Sequence, residues 1–334
     1  MQDFVIKEAV FAKFMKDTVE PFLAGRRKEF RIPREADKAI YCVSYVADAP
    51  KGTVMISHGF TETAEKYLEP IYYLVKHGYN VYQSEHCGHG RSYRLVEDLS
   101  LVHVDRYERY VADLLAVAEA AKQAYPQMPL FLFGHSMGGG IAAAALSLQP
   151  ELFVGAVLSS PMIRPLTGTT PWPVAKLLAK LLCRMGKAKQ YLPGGHAYDG
   201  KERFEDSAST SRERFAYYQI KRSAQPLFQM NAASCGWLNE TARLNRYLMS
   251  KGWKQVKTPL LIFQAQDDTF VSAAEQDRFV EKVKAAGKAP VRKLRIDSTK
   301  HEIFSSEDRV LQNYWNEILM FLQENNKLSD DEGK

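Results

Sequence analysis

The chain is poor in cysteine. Four are scattered over its 334 residues, at Cys42, Cys87, Cys183 and Cys235. No Cys-x-x-Cys pair occurs, which argues against a disulfide framework or a zinc site and fits a reduced, cytosolic setting. Long apolar runs are missing too: no stretch of about 18 uncharged apolar residues is available to span a bilayer. Residues 1–25 carry Asp3, Lys7, Glu8, Lys13, Lys16, Asp17 and Glu20, so they lack the apolar centre of a signal peptide. There is no Gly-x-Gly-x-x-Gly and no Walker lysine, which removes the usual phosphate cradles, although Gly138, Gly139 and Gly140 stand in a row. Neither an internal repeat nor a low-complexity tract appears. The net charge of +6 is mild, and no motif or aromatic–basic interleaving points to nucleic acid. His86, Cys87 and His89 lie close together but have no second cluster to complete a metal site. They read as a tight turn shaping the mouth of a site, and no cofactor or metal is expected.

What the chain does have is alternation. Residues 4–23 read as an amphipathic helix, followed by strand-like runs at 28–32 and 40–47. Buried-strand patterns stand at 53–57, 79–84, 129–133 and 154–159, with helix patterns between them at 65–77, 105–124 and 138–148. Strands alternating with helices predict an α/β fold, a mostly parallel sheet covered on both faces. The alternation stops at Pro161 and resumes with strands at 260–263 and 291–296 and a last helix over 306–324. The predicted organisation is a core of residues 1–162 and 258–326, a helical cap inserted at 163–257 without clear strands, and a disordered tail at 327–334. The insertion leaves from a strand end, on the edge where such sheets place their sites.

Residues 134–138 read Gly-His-Ser-Met-Gly, between the apolar strand 129–133 and a small-residue helix. A serine on such a strand-to-helix turn is held with strained backbone and an exposed hydroxyl. A serine hydroxyl needs a base to take its proton and a third group to orient that base. Only His196 and His301 follow Ser136, and His196 lies in the insertion, so His301 is the candidate base. The acid is Asp267 or Asp268, directly after the strand 260–263, with Ser272 to Glu275 reading as a capping box beyond it. The N–H of Met137, at the start of a helix, and that of Phe60, in His58-Gly59-Phe60, are the expected oxyanion donors.

The insertion carries the basic excess. Residues 163–257 hold 17 Lys plus Arg against 6 Asp plus Glu, so the rest of the chain is net acidic. Within it, 173–189 places Lys176, Lys180, Arg184 and Lys187 on one side at helical spacing. Val174, Leu177, Leu178, Leu181, Leu182 and Met185 fall on the other. Such a helix either lies on an anionic bilayer or packs its apolar face on the core with the basic face solvated.

Taken together, several segments resemble the monoacylglycerol lipase and bacterial lysophospholipase branch of the α/β-hydrolases. They are His58-Gly59-Phe60, Gly88 to Ser92, Tyr110 to Leu114, Gly134 to Gly139, Ser160 to Met162, Asp268 to Val271 and His301-Glu302-Ile303. The resemblance runs from about Phe30 to Leu322, and includes the family's cap at Ser209–Arg214 and from Trp237 to Leu248. It implies an α/β-hydrolase fold and selects Asp268, since the family's acid precedes x-x-Val. It also implies a serine ester hydrolase acting on single-acyl lipids, lysophospholipid or monoacylglycerol, through a Ser136–His301–Asp268 triad, with an acyl-enzyme and an apolar acyl tunnel under the cap. The expected setting is cytoplasmic, with peripheral contact at the inner membrane face through the basic cap. Two residues depart from the family pattern: Glu85 stands in place of Asp in Asp-x-Arg (with Cys87 for the Arg), and Ala265 in place of Gly. A carboxylesterase for small soluble esters and a non-catalytic binding protein are the alternatives.

Overall fold

Side chains along the central strands alternate strictly between two hydrophobic cores. In the computed structural model, which describes residues 3–35 and 37–331, Val54, Ile56, Phe131, Phe133, Leu261 and Phe263 enter one core. Their neighbours Met55, Leu130, Leu132, Leu260 and Ile262 enter the other. Successive side chains of a strand point to opposite faces, so apolar runs of this kind need cover on both sides.

The strands are β1 (Arg27–Pro33), β2 (Ala39–Tyr45), β3 (Gly52–Ser57), β4 (Tyr79–Ser84), β5 (Leu101–Val102), β6 (Leu130–His135), β7 (Gly155–Ser159), β8 (Ala232–Ala233), β9 (Leu260–Ala265) and β10 (Val291–Ile296). Eight of them form one sheet in the order β1-β2-β4-β3-β6-β7-β9-β10. β1 and β2, and β2 and β4, pair antiparallel. From β4 to β10 every pairing is parallel.

The helices are α1 (Phe11–Phe14), α2 (Glu20–Ala24), α3 (Leu68–Lys76), α4 (Tyr107–Ala124), α5 (Met137–Leu148), α6 (Trp172–Arg184), α7 (Arg212–Ala224), α8 (Cys235–Ser250), α9 (Ala273–Ala286) and α10 (Asp308–Asp331). Residues of α4, α5, α8 and α9 fill one core. Residues of α1, α3 and α10 fill the other. The tail predicted at 327–334 lies outside the described residues, in its side chains throughout and from 332 altogether.

Two local expectations change. The single N-terminal helix expected at 4–23 begins only at Glu8 and is split by a π turn at Met15–Val19. There the Glu20 N–H reaches back five residues to the Met15 carbonyl. Pro21 explains the break: it has no N–H and crowds the carbonyl one turn earlier. The insertion also contains strand structure, because β8 pairs in parallel with β5 of the body.

In α6 a seam of small residues, Ala175 and Ala179, is buried. The larger apolar residues face outward: Leu177 is 56% exposed and Met185 67%. The apolar side of this helix therefore does not pack on the core.

Candidate active site

Ser136 sits between β6 and α5 with φ +52°, a left-handed conformation that costs a non-glycine residue energy. The surroundings over-determine it. Its N–H donates to the Ser159 carbonyl at 3.0 Å, and its own carbonyl accepts from Gly139, Gly140 and Met162. Both flanking glycines are forced by space. A Cβ on Gly138 would stand 2.1 Å from the Ser57 carbonyl oxygen, and one on Gly134 2.9 Å from the Ala142 methyl.

Asp268 lies just beyond β9, and His301 in the loop between β10 and α10. The structure brings both to Ser136. His301 Nε2 is 2.7 Å from Ser136 Oγ, and His301 Nδ1 is 2.7 Å from Asp268 Oδ2. The second Asp268 oxygen accepts the N–H groups of Phe270 and Val271 at 2.8 and 3.0 Å. Burial pushes the Asp268 carboxyl pKa up, but the His301 hydrogen bond and charge, with the two N–H donors, hold it below its ordinary value. An ionised Asp268 keeps the proton of His301 on Nδ1 and leaves Nε2 free to accept from the serine. Asp267, its rival in the sequence, is exposed and among the described residues makes only a backbone bond to Thr299. His196 is exposed in the insertion and pairs locally with the Ala197 carbonyl.

Phe60 follows β3, and its N–H donates to no protein acceptor among the described residues. Met137 is the first residue of α5, where helix N–H groups have no intrahelical partner. Phe60 lines the same cleft as Ser136, and Met137 adjoins it in the chain, so both expected oxyanion donors stand beside the serine. Ser272 caps α9 by accepting the Glu275 N–H.

Several important groups carried no recognisable signal in the sequence. Glu62 is buried, and its carboxylate accepts the Gly59 N–H and the Tyr67 hydroxyl, each at 2.6 Å. Lys66 pairs with Glu62 at 3.1 Å and also with Glu302, the neighbour of His301. The only hint in the sequence is the four-residue spacing of Glu62 and Lys66, which reads as an ordinary surface pair. His86 and His89 are buried, not at a mouth, and form a ring cluster with His58 under the loop that carries Phe60. Glu85, where the family has Asp, is fully buried and takes Arg91 at 2.8 Å.

A cleft of about 470 Å³ opens on Ser136 and His301. Phe60, Phe215 and Phe270 give it apolar patches, but five basic and five acidic side chains also line it. Lys66, Lys201, Arg203, Arg214 and Arg222 face Glu62, Glu69, Glu202, Asp206 and Glu302. An apolar tunnel was expected; this space is mixed and nearly charge-balanced. The insertion supplies much of its wall, through residues 201–208 and 214–222.

The chain is similar to known proteins. Lysophospholipase L2 of Escherichia coli K12 is 28% identical, over 98% of this chain and 96% of that protein. The monoglyceride lipase of Rattus norvegicus is 36% identical over 40% of this chain and 42% of its own length. A soluble variant of monoglyceride lipase from Saccharomyces cerevisiae, solved with a substrate analogue, superposes with a TM-score of 0.71 at 19% identity. That match covers 90% of this chain and 96% of the other. Residues 48–308 match the family described as Hydrolase_4, serine aminopeptidase S33. With the strand order and the Ser136 turn already described, the chain belongs to that family of α/β-hydrolases.

Proposed function

We propose that this protein is a serine ester hydrolase for single-acyl lipids. The observation that carries the reading is the unbroken contact chain from Ser136 Oγ through His301 to Asp268, 2.7 Å at each link. His301 Nε2 takes the serine proton as Oγ attacks the ester carbonyl carbon. The carbonyl oxygen becomes an oxyanion held by the N–H groups of Phe60 and Met137, and Asp268 stabilises the imidazolium. Collapse breaks the ester C–O bond, and His301 returns its proton to the leaving alcohol. Water, deprotonated by His301, then releases the fatty acid from the acyl-enzyme.

The cleft guides the choice of substrate. Its paired charges suit a polar head group better than a second acyl chain, which favours a lysophospholipid over a neutral monoacylglycerol. The names of the relatives support both classes. The same polarity supports a second reading, a carboxylesterase for small soluble esters. In either case residues 163–257 act as the cap of the site.

Contact with an anionic membrane is part of the proposal. Val174, Leu177, Leu178, Leu181 and Met185 are exposed along α6, and Lys176, Lys180 and Arg184 are interleaved with them. Leu166 and Phe270, beside the catalytic loop, are exposed too. Apolar residues flanked by cations match the boundary of an anionic bilayer. No described helix is long and apolar enough to cross a membrane. The test compares turnover of a lysophospholipid, a monoacylglycerol and a short p-nitrophenyl ester by wild type and Ser136→Ala. Wild type is expected to prefer the lysophospholipid and to label with a fluorophosphonate. Turnover retained by Ser136→Ala would refute the mechanism.

A further inference from the structure

We propose that Glu62 and His58 are positioning residues that preset the oxyanion donor Phe60. They grip the two ends of Gly59, the residue before it. This inference rests on the hydrolase reading above and adds to it the means by which the loop is held before substrate arrives.

The Gly59 N–H donates to Glu62 Oε2 at 2.6 Å. On the other side, His58 Nδ1 lies 2.8 Å from the Gly59 carbonyl oxygen. The direction of that bond follows from the ring's second nitrogen. His58 Nε2 is 2.9 Å from the His86 N–H and can only accept from it. The ring proton therefore sits on Nδ1, and His58 donates to Gly59. No peptide bond in the described chain is cis. In a planar trans peptide the carbonyl of one residue and the N–H of the next point in opposite directions. Holding the Gly59 carbonyl toward His58 thus turns the Phe60 N–H to the other side, and no protein acceptor takes it there. The adjoining Thr61 has φ +58°, a conformation that a free loop would relax.

Glu62 is itself held firmly. Besides Gly59 it meets the buried Tyr67 hydroxyl at 2.6 Å and the half-buried Lys66 at 3.1 Å. Lys66 also pairs with Glu302, next to His301. One half-buried ammonium therefore joins the loop carrying the oxyanion donor to the loop carrying the base. Space around Gly59 is already full: a Cβ there would lie 2.8 Å from Glu62 Oε2 and 3.0 Å from the His135 ring.

The test replaces Glu62 by Ala, Asp and Gln in the full chain. Turnover of a p-nitrophenyl ester is measured per site titrated with a fluorophosphonate. Misplacing a reacting group by about 1 Å costs on the order of 100-fold. Glu62→Ala and Glu62→Asp are therefore expected to lower kcat per titrated site by ~10- to 100-fold, with KM little changed. Glu62→Gln keeps an acceptor for the Gly59 N–H and should stay closer to wild type. Binding of an alkyl boronic acid, whose tetrahedral adduct mimics the oxyanion, should weaken in proportion to the loss of kcat/KM.

A purely structural role predicts something else: fewer titratable sites and a lower Tm, but wild-type turnover at each remaining site. That result would overturn the proposal, as would a change confined to KM. Glu62→Asp decides the matter if Glu62→Ala does not fold. A wild-type enzyme that neither hydrolyses esters nor labels would sink the hydrolase reading itself, and is distinguishable from both.

Discussion

Asp268 holds His301 with one carboxylate oxygen and anchors itself with the other. Oδ2 meets His301 Nδ1 at 2.7 Å, while Oδ1 takes the backbone N–H groups of Phe270 and Val271. Neither oxygen is left to wander, so the ring's tautomer and its aim at Ser136 are fixed together. In Asp268→Asn the amide can donate to Nδ1, which favours the wrong tautomer, and kcat should fall on the order of 10⁴-fold. Asp267→Asn should turn over at the wild-type rate. Steady-state kinetics on a p-nitrophenyl ester separates the two carboxylates.

Acid should destabilise the protein well above the carboxylate range. His58, His86, His89 and His135 are buried, and burial pushes each pKa below the ordinary 6.5, that of His135 to about 3. Unfolded, each takes a proton near pH 6.5, whereas the folded protein refuses it. The unfolded state then binds more protons, so stability is full above about pH 6.5 and falls as pH drops. Well below pH 6.5, His135 alone adds up to ~1.4 kcal/mol per pH unit to the slope. Urea unfolding between pH 7.5 and 4.5 should show the decline, and His135→Phe should flatten it.

The outward face of α6 gives a separable prediction. Leu177→Asp with Leu181→Asp removes exposed apolar surface, so folding stability should change by no more than ~0.5 kcal/mol per site. Sedimentation with phosphatidylglycerol vesicles should be lost, while hydrolysis of a soluble ester persists. Wild-type binding should weaken as salt rises, because the cations of the helix are screened.

Gly138 admits no side chain. Its Cβ would lie 2.1 Å from one backbone oxygen and 2.5 Å from the next, those of Ser57 and His58. Gly138→Ala should therefore cost more than ~3 kcal/mol or prevent folding. Gly186→Ala meets nothing within 4 Å and carries only the strain of φ +79°; its cost should be about 1 kcal/mol. Thermal unfolding of the two variants compares them directly.

Much of this architecture was legible because it depends on local pattern. The serine turn announces itself by its glycines, the buried strands by unbroken apolar runs, and His301 and the pair Asp267 and Asp268 by their places after strands; only the family resemblance chose Asp268 of the two. The parts that were not legible depend on three-dimensional neighbours. Nothing near Glu62 or Lys66 in the chain reveals that Lys66 bridges Glu62 to Glu302, 236 residues further on. The orientation of α6 was open for a similar reason. Leu177 and Ala179 both look apolar, and only the partner helix α8 decides that the alanines turn inward. The cleft's charges come from three separate parts of the chain, so their convergence opposite Ser136 leaves no trace in spacing.

The short β5–β8 ribbon has a mechanical consequence. It joins residues 232–233 to 101–102, and further ties run from Pro165 to Val271 and from Ser209 to Ser305. Trp237, Leu244 and Leu248 share one hydrophobic cluster with α4 and α5. A segment sewn down at so many points is not an interchangeable hat. Excising it would strip apolar cover from the body, and transplanting another in its place would require rebuilding the seam as well as the pocket.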